Sequence, residues 1–280
     1  MDSESKANLL NNTFAKVFLN ENSTKQPPTP ITTHQYIPYN NVSPISPREV
    51  FNTILKMKKS VSQTPDGIPS YYIYRTASQL SKPLSILFNY SISTGQVPEI
   101  WKKALVTPIY KKGSKNDPKN YRPISLTSSV CRLLERIIHN LMLTHLQIHN
   151  IISPAQHGFL PRRSTQTQQI DFLNQLTSFH DQQIQAEVIY LDFSKAFDKV
   201  SHLNLLHVLN HINIHPKLIN WIQNYLNGRT QVRIVEFSHS HSTSVTARVG
   251  TGTTSFHHIP PRPYYLHQHQ LPKYNCLRLC

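Results

Sequence analysis

The sequence predicts a mixed α/β fold of the α+β kind, mostly helical with a small share of strand. Apolar residues recur at helical spacing along most of the chain. Residues 104–110, 188–191 and 231–236 read instead as short β runs, and Gly, Pro and Lys crowd the connections. The 280 residues suffice for two ordinary domains or one large one, and a hydrophobic fraction of 38% suffices for a core.

Each element carries its own signal. Leu9, Leu10, Phe14, Val17 and Phe18 make residues 5–20 an amphipathic helix, and Pro27, Pro28, Pro30 and Pro38 then mark a linker. Ser46-Pro47-Arg48-Glu49 reads as a helix start, with Ser46 as N-cap, Pro47 first in the helix and Glu49 closing a capping box. Thr64-Pro65-Asp66-Gly67-Ile68-Pro69 is a turn. Residues 70–94 are expected to be helical, with Leu80, Leu84, Leu87 and Phe88 on the apolar side, Pro83 kinking or splitting the helix and Gly95 stopping it. Residues 128–147 form a long helix with a stripe of Val130, Leu133, Leu134, Ile137, Ile138, Leu141 and Met142. Ser164 or Thr165 caps the next helix, which carries Ile170, Leu173, Leu176 and Phe179. Helices over 202–212 and 216–226 follow, the second containing Trp221 and ending at Gly228.

Composition narrows the function. With 29 Lys+Arg against 14 Asp+Glu, the net charge of +15 favours a polyanionic partner, most simply nucleic acid. The cysteines, Cys131, Cys276 and Cys280, show neither a disulfide framework nor zinc spacing, which fits a reducing compartment. The first residues are acidic and polar, unlike a secretory signal, and no apolar run reaches membrane-spanning length. The expectation is an intracellular protein, nuclear or cytoplasmic, not secreted and without a membrane partner.

The most informative segment is Tyr190-Leu191-Asp192-Phe193-Ser194-Lys195-Ala196-Phe197-Asp198. It reads as a short buried strand over residues 188–191 that delivers a carboxylate at its end. Such a carboxylate, beside exposed backbone, can hold Mg²⁺ against phosphate oxygens. It can equally cap a following helix. The stretch Lys111 to Arg122 is a basic loop with Gly, Pro and aromatic ends, suited to phosphates or a nucleic-acid backbone. A solvated charge run is the plainer reading of its lysines. Gln156 to Thr165 is a second basic turn.

Four motifs stand in one order: Lys-Lys-Gly…Tyr-Arg-Pro-Ile-Ser-Leu at 111–126, Gln-His-Gly-Phe…Arg-Ser-Thr at 156–165, Leu-Asp-Phe-Ser-Lys-Ala-Phe-Asp-Lys-Val…His at 191–202, and Trp-Ile…Tyr-Leu…Arg at 221–229. Together they closely resemble the reverse transcriptase of non-LTR (LINE-type, Jockey-like) retrotransposons, over residues 46–246. The resemblance implies a right-hand polymerase fragment: mostly helical fingers over 46–185 and an incomplete ferredoxin-like palm over 186–254, preceded by the helix and linker of 1–45, with the thumb absent. It implies RNA template, DNA primer and deoxynucleoside triphosphate as partners and Mg²⁺ as cofactor. By the same resemblance Asp192 is the first catalytic aspartate and a metal ligand, and the Phe193 carbonyl is a second metal ligand. Lys111, Arg122, Lys195, Ala196 and Phe197 contact the triphosphate. Gln156, Gly158, Phe159 and Arg163 contact the template strand. Asp198 reads as a local cap, and His202 and Trp221 as packing residues.

The chain then departs from the family. Arg248-Val249-Gly250-Thr251-Gly252-Thr253 stands where the family has a Gly-Val-Pro-Gln-Gly-Ser loop, and the Tyr-Ala-Asp-Asp segment is missing. No Asp or Glu follows Glu236. Degenerate codons for residues 265–269 and 276–280 can be read in another frame as family-like text, so a frameshift near residue 254 accounts for the His- and Pro-rich tail over 255–280, expected to be disordered. One carboxylate does not complete a two-metal site, and the chain is expected to be inactive as a polymerase. A non-catalytic basic RNA-binding module and a mobile-intron maturase-like protein are the alternatives.

Overall fold

The computed structural model describes residues 3–15, 43–62, 64–193, 196–197, 200–234 and 244–248. Most of the Pro-rich linker, Ser194, Lys195, Asp198 and the whole 255–280 tail lie outside the described residues. In chain order the elements are α1 (Ser3–Ala15), α2 (Pro47–Leu55), α3 (Ser70–Arg75), α4 (Ala77–Thr94), α5 (Glu99–Lys102), β1 (Lys103–Tyr110), β2 (Tyr121–Thr127), α6 (Ser129–Ile148), α7 (Thr165–Asp181), α8 (His202–His211), α9 (Pro216–Leu226), β3 (Thr230–Ile234) and β4 (Ser244–Arg248). The class is the expected mixture, helices with one small sheet. Two units divide the described residues. One holds those up to His145 and those from Phe197 onward, the other those from Leu146 to Ala196.

In the first unit, α2 starts where its sequence says. Ser46 has extended backbone, its hydroxyl accepts the Glu49 N–H at 3.1 Å, and Pro47 occupies the first helical position, where no N–H is needed. Among the described residues the Glu49 carboxylate does not return a bond to Ser46, so the box is half formed. Just before the cap, Ile45 is buried in extended conformation. Asn89 satisfies both of its backbone groups: the Ile45 N–H donates to Oδ1 at 2.8 Å, and Nδ2 donates to the Ile45 carbonyl at 2.9 Å. Ser85 adds a third bond to that carbonyl at 2.8 Å.

The stretch over 70–94 is split, but at Thr76 rather than at Pro83. Thr76 leaves helical geometry (φ −109°, ψ 22°), ends α3 with its N–H on the Tyr72 carbonyl, and starts α4 with its own carbonyl. Pro83 stays inside α4 on the exposed face, where its ring meets solvent. The buried stripe of α4 is Leu84, Phe88 and Ile92 interleaved with Ser81, Ser85 and Ser91. Leu87, expected on that stripe, is exposed because it lies about 100° round the helix from Phe88. Gly95 closes α4 at φ +72°, and an added Cβ there would strike the Asn220 side chain at 2.1 Å.

The sheet has the order β2-β1-β3-β4. β1 runs antiparallel to β2 and parallel to β3, and β3 runs antiparallel to β4. β2 was not legible as a strand, because Pro123 interrupts it. The register resolves the problem by placing Pro123 opposite Pro108. Two residues without an N–H are tolerated face to face in a pair that exchanges no hydrogen bonds. β3 pairs with β1 only over Lys103 to Val106, short of Pro108.

α6 contributes a buried face to this unit. Leu133, Leu134, Ile137, Ile138 and Met142 are buried as expected, but so are Cys131, Glu135 and His145. The acid is accommodated by α9 and the start of β3. The Tyr225 hydroxyl donates to Glu135 Oε1, the Cys131 thiol reaches the same oxygen at 3.4 Å, and the Arg229 guanidinium lies 4.3 Å from the Tyr225 ring centroid. Trp221 stacks on Tyr225 with centroids 5.0 Å apart and donates its indole N–H to Ser91 at 2.9 Å. Burial pushes the Glu135 carboxyl up, against the pull of the Tyr225 hydrogen bond and of Arg229. Burial likewise pushes the Cys131 thiol and the Tyr225 phenol well up. The Arg229 guanidinium is pulled down by burial, yet Tyr225 and Glu135 outweigh this and hold it above its ordinary value.

In the second unit, α7 begins with a complete capping box, Ser164 with Thr167. None of its side chains is buried. The expected buried strand over 188–191 is not present: Ile189, Tyr190 and Leu191 are exposed at 64%, 58% and 55%, and only Ile189 makes an isolated bridge. A β run needs a ladder partner and a face to pack on. Among the described residues this run forms no ladder longer than that one bridge. No helix among the described residues is long and apolar enough to cross a membrane.

Candidate nucleotide and nucleic-acid site

The first cluster of site residues sits on the β1–β2 hairpin. Arg122 pairs with Ile109, and the Lys111 N–H donates to the Asn120 carbonyl at 2.8 Å. Strand side chains alternate with a period of two, so Lys111, Ile109 and Arg122 share one face. Tyr110 and Tyr121, directly paired, share the other face with ring centroids 5.7 Å apart. The tip is held by its own side chains. Tyr110 OH donates to the Gly113 carbonyl, Tyr121 OH to the Lys115 carbonyl at 2.9 Å, and Asn120 Nδ2 to the Ser114 carbonyl at 2.9 Å. Gly113 has φ +95°, and a Cβ there would meet Asn120 Nδ2 at 2.6 Å. Lys115 lies 5.9 Å from the Tyr110 ring centroid. Lys111, Lys112 and Arg122 are exposed, and none of them pairs with a carboxylate among the described residues.

The second cluster is the turn ahead of α7. Gln156 Nε2 donates to the Gly158 carbonyl at 3.1 Å. Arg163, expected as a template contact, spends its Nη1 on the carbonyls of Pro154 and, at 3.0 Å, Gln156. Phe159 and Arg162 hold left-handed backbone, φ 65° and 62°, which non-glycine residues adopt at some cost. Gly158 makes no such demand: its φ is ordinary and nothing lies within 4 Å of where its Cβ would be. The turn therefore leaves open space beside its backbone at this point.

Asp192 and Phe193 are exposed in irregular backbone, Phe193 at 73%. Ala196 and Phe197 are half-buried in a turn, and the Phe197 carbonyl accepts the Val200 N–H at 3.4 Å. Lys195 lies outside the described residues, as does Asp198. α8 is capped by Ser201, whose hydroxyl accepts the Asn204 N–H at 3.3 Å. Trp221 and His202 are buried packing residues, as expected. Lys111, Arg122 and Phe197 belong to the first unit. Gln156, Gly158, Phe159, Arg163, Asp192, Phe193 and Ala196 belong to the second.

Residues 109–254 match the family of reverse transcriptases (RNA-dependent DNA polymerases). The chain belongs to the reverse transcriptase family. Three relatives place it among non-LTR retrotransposons. It is 25% identical over 233 residues to the probable RNA-directed DNA polymerase from transposon X-element of Drosophila melanogaster, covering 83% of this chain and 25% of that protein. It is 29% identical over 190 residues to the RNA-directed DNA polymerase from mobile element jockey of the same organism, covering 68% and 21%. It is 30% identical over 183 residues to the retrovirus-related Pol polyprotein from type-1 retrotransposable element R2 of Popillia japonica, covering 65% and 24%. The chain spans a quarter or less of the length of these relatives.

Reverse transcriptases as a family use divalent metal ions. Mg²⁺ takes near-octahedral oxygen ligands and a two-metal centre needs several carboxylates. The described residues contain no group of three or more His, Cys, Asp or Glu placed to hold a metal. Asp192 with the Phe193 carbonyl does not by itself fit such a centre. Sequence reasoning missed one residue of the turn ahead of α7. His157 is buried, and its Nε2 stands 2.9 Å from Asp171 Oδ2. A histidine inside a Gln-x-Gly-Phe turn followed by an acid about two helical turns into the next helix was the available signal.

Proposed function

We infer that this chain is the fingers and the first part of the palm of a non-LTR retrotransposon reverse transcriptase, over 46–185 and 186–254. It receives an RNA template at Gln156, Gly158, Phe159 and Arg163 and the triphosphate at Lys111 and Arg122, and the family resemblance assigns Lys195, Ala196 and Phe197 to the triphosphate as well. Asp192 and the Phe193 carbonyl contribute the first metal ligands, for Mg²⁺, of a site that needs further carboxylates. The observation that carries the reading is the β1–β2 hairpin, which sets Lys111 and Arg122 on one face with no carboxylate partner. Cations placed so are free to meet phosphate. Gly158 supports the template assignment, since open space beside a glycine backbone lets a nucleotide approach closely. Arg163 acts there by shaping the turn, and the exposed Arg162 offers the outward charge.

The test is RNA binding as a function of salt. Replacing Lys111, Lys112, Arg122, Arg162 and Arg163 with Ala should flatten the slope of log affinity against log salt by about 0.7 per lost phosphate contact on single-stranded RNA. An unchanged slope would move the binding surface elsewhere. The same chain should extend no primer on an RNA template with Mg²⁺ or Mn²⁺, because no Asp or Glu follows Glu236 to join Asp192. Incorporation that disappears in Asp192→Ala would overturn that part.

A further inference from the structure

We propose that His157 is the positioning residue of the template turn, fastening it to the first turns of α7 through Thr167 and Asp171; the proposal rests on the template reading of that turn. Both ring nitrogens are engaged. Nε2 meets Asp171 Oδ2 at 2.9 Å and Nδ1 meets Thr167 Oγ1 at 2.9 Å. Thr167 is also the reciprocal member of the α7 capping box: its Oγ1 accepts the Ser164 N–H at 2.9 Å and donates to the Ser164 carbonyl at 2.8 Å.

Counting hydrogens fixes what the histidine does. A threonine hydroxyl has one hydrogen. If that hydrogen goes to the Ser164 carbonyl, Nδ1 donates to Thr167 Oγ1 while Nε2 stays on Asp171. If it goes to Nδ1, Nδ1 accepts and the ring donates from Nε2 to Asp171. In both states the ring bridges the helix to the turn, and a buried imidazole with two satisfied nitrogens has a single orientation. The residues on either side of it are the ones assigned to the template. The Gln156 carbonyl accepts from Arg163 and the Gly158 carbonyl from Gln156 Nε2. His157 touches no nucleotide in this account. It sets the path of the backbone that does, and it holds Phe159 and Arg162 in left-handed backbone they would otherwise leave. The latch is built on α7, which has no buried side chain of its own to hold the turn by packing.

The experiment uses the full 280-residue chain. Hydrogen exchange is followed over residues 154–164, with α6 as the control for folding, alongside affinity for a single-stranded RNA oligomer. His157→Leu should speed exchange in the turn roughly tenfold, leave α6 unchanged and weaken RNA binding by a similar factor. His157→Gln, whose amide can still donate to Asp171, should recover part of both losses, which loss of packing volume alone would not predict. If His157→Leu also loosens α6, Asp171→Asn decides. That side chain is 60% exposed, so its loss cannot unfold the core, and it should speed the turn alone. An unchanged turn in His157→Leu and Asp171→Asn, or no recovery in His157→Gln, overturns the latch. A wild-type chain that binds no RNA would instead overturn the template reading, while the exchange result still decides the latch.

Discussion

α6 and α7 look alike as sequence and behave differently as structure. Both begin beside a serine, Ser128 for α6 and Ser164 for α7, and both carry leucine and isoleucine at helical spacing. α6 buries most of its stripe, with Leu134 and Ile137 at 0% exposure and Val130 and Leu141 half-buried, whereas Leu173 of α7 stays 58% exposed. Helical periodicity states which face wants to be buried. It does not state whether a partner exists. α6 has its partners in the first unit: Tyr225 of α9 meets its Glu135, and the Arg136 guanidinium caps α2 by donating to the Lys56 carbonyl at 3.0 Å. α7 holds its place by capping and by the His157 bridge rather than by core.

The comparison is most easily broken by matched truncations. Leu134→Ala should cost about 2–5 kcal/mol, the usual range for a buried leucine that leaves a cavity. Leu173→Ala should fall within about 0.5 kcal/mol, as for other exposed sites. Urea titration of both variants checks this. Equal costs would mean that α7 has a packing partner in solution.

The same contrast explains what the sequence made legible. Elements with local signals were readable: the Ser46 cap, the Gly95 stop, the period of α6, the starts of α8 and α9. Features that depend on distant partners were not. Nothing near Asn89 announces that it satisfies the backbone of Ile45, forty-four positions earlier. Glu135 and Arg229 are charged and would be placed at the surface by composition, yet the fold buries both. β2 was hidden by Pro123, whose tolerance depends on its register with Pro108. The run over 188–191 failed in the opposite direction, for a short apolar run gives no sign of whether a ladder neighbour is present. At the candidate site, the chemistry of Lys111 and Arg122 was legible because it needs only charge on a turn. The inward role of Arg163 and the bridge of His157 were not, because both depend on how the turn closes.

The buried acid offers a second test, through pH. Burial raises the Glu135 pKa in the folded state above its unfolded value. A group shifted in that direction contributes stability below the unfolded pKa, and this is lost as pH rises through the folded one. Wild-type protein should therefore lose part of its stability as pH rises out of the ordinary carboxylate range. Glu135→Gln keeps an oxygen for the Tyr225 hydroxyl and cannot ionise. Its melting temperature should vary less over that window and match wild type most closely at the acid end. A Glu135→Gln profile parallel to wild type would assign the dependence to another group.

The smallest effect sharpens the contrast between the two units through their caps. Ser46 and Ser164 perform the same service, each accepting the N–H three residues on, at 3.1 and 3.3 Å. Replacing such a cap with Ala typically costs about 1 kcal/mol. The location of that cost should differ. α2 is tied into the core by Val50 and Ile54, both fully buried, so Ser46→Ala should lower the global unfolding midpoint. α7 buries no side chain, so its first turn can open without disturbing any core. Ser164→Ala should leave the global midpoint nearly unchanged and instead speed hydrogen exchange over the first turn of α7 and the turn before it. A global shift from Ser164→Ala as large as that from Ser46→Ala would mean that α7 unfolds together with the core, and that its exposed stripe is not the weak point this contrast makes it.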